Sequence, residues 1–303
     1  MDTIVEAAGL YKRYGSLVAV DHVSFSVFRG EVFGILGPNG AGKTTTLEML
    51  EGLRTPDDGH AIVDGIDVGI DPRGVRARIG TQLQEAGFFD RLTVEETLEL
   101  FGSFHRKMVP PETVIARLNL DEKRRAWVET LSGGQRQRLS IAVALINDPT
   151  IVFLDEPTTG LDPQARHNLW AVIKEIRDEG RTVVLTTHYM EEAQQLCDRV
   201  AIMDHGHIVA LDAPRALIRQ HSPGTTVAIS SPSGSAAYSG LPGVQHLQAH
   251  NGEVVLVTTE PLRTVQGLLE RQVRGDLEFQ QLRVEESTLE DVFLQLTGRR
   301  LRE

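Results

Sequence analysis

The sequence has a single cysteine, Cys197, among its 303 residues. One thiol excludes an intramolecular disulfide and fits a reducing cytoplasm. No stretch reaches the roughly 18 uninterrupted apolar residues of a membrane-spanning helix. The first residues also lack the basic and apolar segments of a secretory signal. We therefore expect a cytoplasmic chain with no spanning helix of its own.

Positive charge is also scarce. The chain has 31 Lys and Arg against 42 Asp and Glu, which gives a formal net charge of −11. Proteins that bind nucleic acid non-specifically neutralise phosphates with a basic face, so the composition argues against nucleic acid as a partner. The basic runs at 123–125 and 299–302 are short, and we interpret both as solvated surface.

Residues 1–220 alternate short apolar strands with helical stretches, which is typical of an α/β fold with a largely parallel sheet. The clearest strands are predicted at 32–36, 151–155 and 182–186. Their nearly continuous apolar runs indicate strands that are covered on both faces. Residues from about 86 to 146 are predicted to be mainly helical.

A domain boundary is expected near His221. Residues 222–241 are rich in Ser, Gly, Pro and Ala, which predicts turns or a linker. Beyond them we predict strands at 253–258 and 277–283 and a helix over 261–273. A last helix is expected to start at Ser287, with Glu290 completing a capping box.

The last helix should have one apolar face, because its large apolar residues follow i, i+3, i+4, i+7 spacing. These residues are Leu289, Val292, Phe293 and Leu296. Such a face forms either core or a groove for a partner, and the sequence leaves both open. Residues 222–303 contain no glycine-rich anion loop, so we expect an accessory domain with a regulatory or assembly role.

A glycine-rich loop of the pattern G-x-x-x-x-G-K-[ST] carries the strongest signal. It follows the predicted strand 32–36 and opens a helical stretch at 44–53. Its glycines let backbone N–H groups point at phosphate oxygens, and the helix N-terminus adds partial positive charge. We expect Lys43 on the β- and γ-phosphates and the Thr44 hydroxyl on Mg²⁺. The loop residues expected to bind ATP are Gly37, Pro38, Asn39, Gly40, Ala41, Gly42, Lys43, Thr44 and Thr45.

Two adjacent carboxylates end the predicted strand 151–155. Asp155 should lie at the carboxyl end of the sheet, where α/β sheets bind ligands, and can hold Mg²⁺ through water. Glu156 should point to the other side and is free to orient and deprotonate the attacking water. His188 follows another strand of the same sheet, and could donate a hydrogen bond to the γ-phosphate.

A second anion site is predicted where Leu131-Ser132-Gly133-Gly134-Gln135 opens a helical stretch. Ser132 is a good N-cap, and the glycines expose backbone N–H groups at a helix N-terminus.

Taken together and in this order, the motifs resemble those of ABC ATPases over residues 3 to about 220. The resemblance implies a P-loop, RecA-like ABC nucleotide-binding domain of α/β class at 1–220, with antiparallel β and helical subdomains, plus a small C-terminal α+β domain. It implies hydrolysis of ATP with Mg²⁺, since every catalytic position matches. Ser132, Gly133, Gly134 and Gln135 then belong to the signature loop, which acts on the ATP of a partner subunit.

The resemblance also assigns roles to four residues outside these motifs. Tyr14 matches the aromatic residue on which adenine stacks, and Asp162 matches the loop that crosses between two ATP sites. His188 matches the switch histidine. Gln84 matches the glutamine that contacts Mg²⁺ and senses the membrane partner, with Gln82 as the rival.

The subfamily resemblance is to the daunorubicin-resistance ATP-binding family, through the short helical insertion and the phrase at 289–298. It implies efflux of a drug-like or lipid-like substrate through a separate integral-membrane permease. It also implies a homodimer, or a pair with a related cassette, at the cytoplasmic face of the membrane. An importer ATPase and a non-transport ABC ATPase are the alternatives. The segment after Gln84 contains Phe88, Phe89 and Leu92. We expect these residues either to form part of a groove for a permease helix or to belong to the core of the helical subdomain.

Overall fold

The structure is a computed structural model that describes residues 2–82, 87–221, 224–230, 238–250, 253–285 and 287–298. The chain divides into two compact units, one up to Pro214 and the other from Arg215 onward. The first unit contains the glycine-rich loop, both carboxylates and the predicted second anion site.

The first unit combines strands and helices throughout. Its strands are β1 (Thr3–Tyr14), β2 (Leu17–Phe28), β3 (Val32–Leu36), β4 (Asp58–Val63), β5 (Ile66–Asp67), β6 (Ile79–Gln82), β7 (Ile151–Asp155), β8 (Thr182–Thr187), β9 (Arg199–Asp204) and β10 (His207–Asp212). Its helices are α1 (Lys43–Leu50), α2 (Pro72–Arg76), α3 (Val94–Gly102), α4 (Pro111–Arg117), α5 (Gly133–Leu145), α6 (Pro163–Asp178) and α7 (Met190–Leu196).

The central sheet has the strand order β10-β9-β3-β8-β7-β6. All its neighbours pair in parallel except β10, which is antiparallel to β9. Every residue of β3, β7 and β8 is buried, which confirms the prediction from their continuous apolar runs. A second, antiparallel sheet has the order β2-β1-β4-β5. The predicted α/β class with an antiparallel subdomain is confirmed.

The region predicted to be helical contains α3, α4 and α5, together with short 3₁₀ turns. Thr93 caps α3 in a capping box with Glu96, and the buried face of α3 includes Val94 and Leu98. α5 packs against β6, the edge strand of the central sheet. The prediction of a mainly helical insertion is confirmed.

The second unit is a four-stranded antiparallel sheet with helices. Helix α8 (Pro214–His221) precedes its strands β11 (Thr225–Ser230), β12 (Val244–His250), β13 (Glu253–Thr258) and β14 (Gln281–Glu285) and its helices α9 (Pro261–Arg274) and α10 (Leu289–Thr297). The sheet order is β12-β13-β11-β14. Its core includes Val227, Ile229, Tyr238, Leu256 and Leu268, all buried.

Two expectations for the second unit were wrong. Residues 222–241, predicted as turns or a linker, contain β11, which pairs with both β13 and β14. The strand forms because Val227 and Ile229, two residues apart, lie on the same face of the strand and enter the core. The strand predicted at 277–283 starts only at Gln281, although Leu277 is buried.

The cap of the last helix also differs from the prediction. Thr288, not Ser287, caps α10, and Asp291 rather than Glu290 completes the capping box. The Ser287 hydroxyl instead donates to the Gly224 carbonyl at 2.6 Å. On the apolar face Leu289, Val292 and Phe293 are buried and Leu296 is half-buried, so the core interpretation is confirmed.

Glu51 is a buried acid at the C-terminal end of α1, with 1% of its surface exposed. Burial, with the negative charges of Asp155 and Glu48, raises its pKa to about 8, although a hydrogen bond with Thr81 acts in the opposite direction. Its Oε1 atom has no hydrogen-bond partner among the described residues. A neutral carboxyl is therefore the favoured form at pH 7.

Replacing Glu51 should stabilise the protein at alkaline pH. In the folded state Glu51 keeps its proton up to about pH 8. In the unfolded state it releases the proton near the ordinary glutamate pKa of about 4.3. The stability of the wild-type protein should therefore fall as pH rises from about 4.3 to about 8. Glu51→Gln should raise the unfolding free energy at pH 8 by on the order of a few kcal/mol and flatten its dependence on pH.

Urea unfolding at several pH values measures this effect. Glu99→Gln is the control, since Glu99 is exposed on α3 and is not among the groups that shift the pKa of Glu51. A Glu51→Gln protein that is no more stable than wild type at pH 8 would contradict the raised pKa.

Candidate active site

The glycine-rich loop connects β3 to α1, and the helix begins at Lys43. Glycine is required at two of its positions. A Cβ on Gly37 would lie 2.2 Å from the Met203 carbonyl oxygen, and one on Gly42, whose φ is 101°, would lie 2.3 Å from that of Ala19. The Gly37 N–H also donates to the Thr187 carbonyl at 3.2 Å, which fixes the loop to the end of β8.

The Lys43 side chain is only 4% exposed and is surrounded by acceptors. Its Nζ donates to the carbonyls of Gly37 and Pro38 at 2.9 and 3.1 Å. It also forms an ion pair with Glu156 Oε1 at 3.1 Å. The ammonium group is therefore held inside the loop by oxygen atoms, in the place where the sequence predicts phosphate.

Asp155 ends β7 with its carboxylate beside the start of α1. Its Oδ1 accepts hydrogen bonds from the hydroxyls of Thr44 at 3.2 Å and Thr186 at 2.5 Å. Burial raises the pKa of Asp155, and the two hydroxyls oppose the shift. A carboxylate beside a hydroxyl is an oxygen donor set that suits Mg²⁺, so Thr44 and Asp155 fit the predicted metal role.

Glu156 lies next along the chain with a φ of 47°, which is uncommon for a residue other than glycine. This turn directs its carboxylate toward Lys43 and His188. Glu156 Oε2 contacts His188 Nδ1 at 3.1 Å and accepts from the Thr159 hydroxyl at 3.1 Å. The hydrogen bond from His188, with the charge of Lys43, lowers the pKa of Glu156 to about 2.

The described structure therefore brings together the predicted phosphate, metal and base residues at one end of the sheet. His188 follows β8 directly and its side chain is 18% exposed. Sequence reasoning missed the support from Thr186, which donates to Asp155 and accepts from the Glu156 N–H at 2.9 Å. The signal was present, because Thr186 and Thr187 are polar residues at the end of an apolar strand.

Tyr14, Gln84 and its rival Gln82 are the remaining residues predicted for this site. Tyr14 ends β1 with 40% of its surface exposed, and the Arg54 guanidinium lies 5.2 Å from its ring centroid. Gln84 lies outside the described residues. Its rival Gln82 is buried, and its Nε2 donates to the Asp155 carbonyl at 3.4 Å, so Gln82 adjoins the predicted metal site through the backbone.

The predicted signature loop lies in a separate cavity. Ser132 caps α5 in a capping box with Gln135, which confirms its predicted N-cap position. Asp162 caps α6 and accepts from the Ala165 N–H at 2.8 Å. A cavity of about 230 Å³ is lined by both loops, including Ser132, Gly133, Gly134 and Asp162, but not by Lys43.

Comparison with known proteins gives a consistent set of relatives. The profile of the ABC transporter family matches residues 20–159. Nod factor export ATP-binding protein I of Paraburkholderia xenovorans is 40% identical over 309 residues, which cover 100% of this chain and 99% of that protein. The protein of the same name from Rhizobium sp. is 39% identical and covers 98% of both chains.

Solved structures agree with these sequence relatives. An ATP-binding subunit of an ABC transporter superimposes with a TM-score of 0.65 at 27% identity, covering 72% of this chain and 93% of that one. A dimeric, post-hydrolysis ATP-binding cassette with bound ADP and Pi gives a TM-score of 0.63 at 27% identity, covering 69% and 98%.

Two substitutions should separate nucleotide binding from hydrolysis. Lys43→Ala should weaken ATP binding at least about tenfold, because it removes the charge that faces the phosphates. His188→Ala should change ATP affinity by less than about threefold but lower turnover at least about tenfold, because it removes the hydrogen bond expected to the γ-phosphate in the transition state. Calorimetric titration and phosphate release measure the two effects. A His188→Ala enzyme with wild-type turnover would contradict the assigned role.

Proposed function

The chain belongs to the ABC transporter family, as an ATP-binding subunit that hydrolyses ATP with Mg²⁺, and from this premise we propose that it powers an exporter whose permease is a separate polypeptide. The observation that carries the proposal is the joint placement of Lys43, Asp155, Glu156 and His188 at one sheet edge, beside a signature loop in its own cavity. No helix among the described residues is long and apolar enough to cross a bilayer.

The direction of transport is inferred from relatives that are named for export. Their name refers to Nod factor and not to daunorubicin, so the finer resemblance to the daunorubicin-resistance family has no support from them. We propose a drug-like or lipid-like cargo on that sequence resemblance, with Nod factor as a further candidate. The predicted site at the cytoplasmic face of the membrane follows from the need to act on a permease.

ATP binding should begin with an exchange of partners at Lys43. Its ammonium group contacts two carbonyls and Glu156. Phosphate oxygens offer a charge-assisted alternative, so Lys43 should turn toward them. Thr44 and Asp155 would hold Mg²⁺, which supplies positive charge to neutralise the phosphates.

Hydrolysis then depends on Glu156. With a pKa near 2, its carboxylate is a poor base while Lys43 and His188 hold it. Loss of the contact with Lys43 raises its affinity for a proton, and a contact of His188 with the γ-phosphate would raise it further. Glu156 can then accept a proton from the attacking water.

A complete site requires a second copy of the cassette. The cavity that the predicted signature loop lines does not include Lys43 of the same chain. We propose that Ser132, Gly133 and Gly134 of one copy cover the phosphates bound to the other, and that Asp162 links the two sites. Residues 222–303 are proposed as an accessory domain of the 1–220 ATPase domain, with a role in regulation or assembly.

Glu156→Gln should trap this dimer. The substitution keeps the shape of the side chain but removes its charge and basicity, so ATP should bind without being hydrolysed. Light scattering after size exclusion should report a dimer with ATP and Mg²⁺ and a monomer without them. Lys43→Ala in the same background is the control, because it should abolish the shift. A Glu156→Gln protein that stays monomeric in saturating ATP would contradict the two-site arrangement.

A trough on the first unit is the proposed docking site for a permease helix. Its apolar part, a cavity of about 270 Å³, is lined by residues that include Leu53, Ile79, Phe101 and Val143. Phe88 packs edge-to-face on Phe101 with ring centroids 6.0 Å apart, and Phe89 is 62% exposed. The half-buried Phe88 packs behind Phe101, which lines the trough, and Phe89 remains available to a partner.

Export can be tested in cells that contain the transporter. Cells with the wild-type gene and cells with Glu156→Gln are loaded with daunorubicin, and its retention is followed by fluorescence. A parallel assay measures Nod factor in the medium. Faster loss of either cargo from wild-type cells would support export. Energy-dependent uptake would indicate an importer, and an effect of the variant on neither direction would favour a non-transport ATPase.

A further inference from the structure

A second cavity continues the trough. It has a volume of about 430 Å³ and shares Arg76, His105 and Asn147 with the apolar part. Segments that are distant in sequence form it, namely α2 and the turn after α3. We call this cavity the basic part of the trough, because Arg73, Arg76, Arg106 and Lys107 all line it.

The positive charge of the basic part is mostly uncompensated. Lys107 pairs with Asp148 at 2.5 Å. Arg76 donates to the Gly52 carbonyl at 2.6 Å, but none of Arg73, Arg76 and Arg106 forms an ion pair with a carboxylate of the described residues. Burial lowers the pKa of His105, so its imidazole is neutral at pH 7. Three arginine charges therefore face one cavity in a chain of net charge −11.

An aromatic side chain joins the basic part to the apolar part. Phe104 lines the basic part with 71% of its surface exposed, and its ring lies edge-to-face with Phe101 at 6.1 Å between centroids. A ligand in the trough therefore meets apolar rings and guanidinium groups side by side. Guanidinium groups pair well with carboxylates through parallel hydrogen bonds.

We infer that the permease segment that docks in this trough is an acidic amphipathic helix, whose carboxylates meet Arg73, Arg76 and Arg106 while its apolar residues meet Phe101 and Phe104. The inference rests on the proposed docking function and adds the chemistry of the partner. Opposite charges across the interface select the partner and accelerate its association. An anionic membrane surface is the competing occupant, but a phosphate headgroup would use the arginines and leave the exposed ring of Phe104 without a contact.

Three synthetic helices test the inference on the full chain. They share one leucine face and carry Glu, Gln or Lys on the opposite face, and fluorescence anisotropy measures their binding with ADP saturating the nucleotide site. The Glu helix should bind about tenfold more tightly than the Gln helix at low salt, and the difference should shrink in 0.5 M salt. Arg73→Gln/Arg106→Gln should remove this preference.

A matched control separates the trough from overall charge. Arg125→Gln/Arg219→Gln removes the same charge from exposed positions outside the trough, and should keep the preference for the Glu helix. Thermal melting monitors the folding of both double variants. Equal binding of all three helices would overturn the acidic partner but leave docking in the trough intact, whereas no binding of any helix would overturn both. Arginine-dependent flotation with phosphatidylglycerol vesicles, without a preference among helices, would overturn it in favour of the membrane.

Discussion

The ion pair between Lys43 and Glu156 is the constraint on which the active site depends. Both side chains are nearly excluded from solvent, at 4% and 6% exposure, and their charged atoms lie 3.1 Å apart. A charge in such a place is costly unless a partner compensates it. Each residue therefore compensates the charge of the other. In the proposed mechanism the same contact keeps the base weak, so that ATP binding and activation of the base would be one event.

The parallel sheet makes this pair possible. β3 and β8 run in register up to Leu36 and Thr187, and β7 and β8 up to Asp155 and Thr186. The chain leaves all three strands at the same edge, so the phosphate loop, the carboxylates and His188 meet there. The positive φ of Glu156 then turns one carboxylate toward Lys43 while its neighbour Asp155 faces Thr44. Adjacent acids can take different roles because the backbone separates them.

Sequence reasoning succeeded where one local pattern determines the outcome. The glycine loop, the buried strands and the cap at Ser132 all follow from spacing and residue type. Predictions failed where contacts with distant segments determine the structure, or where two neighbouring residues are similarly suited to one position. β11 looked like a linker because its Ser- and Gly-rich surroundings masked a short apolar run. Ser287 and Thr288 are both good caps, and the final choice depends on the bond from Ser287 to Gly224, a residue far along the chain. The arginines of the trough come from two segments, so no window of sequence contains them.

The position of α1 connects the active site to the trough. This helix has eight residues, about 12 Å in length, and begins at Lys43. Its C-cap is Glu51, which lines the apolar part of the trough. β6 runs beside this path, with Gly80 and Thr81 in the wall of the trough and Gln82 bonded to the Asp155 carbonyl. A helix and a strand are stiff, so a ligand at one end that shifts either element must move the wall at the other. If a permease helix docks in the trough and a phosphate binds Lys43, as proposed, both would act on the same two elements, and this shared contact would be a direct physical route for coupling hydrolysis to the partner.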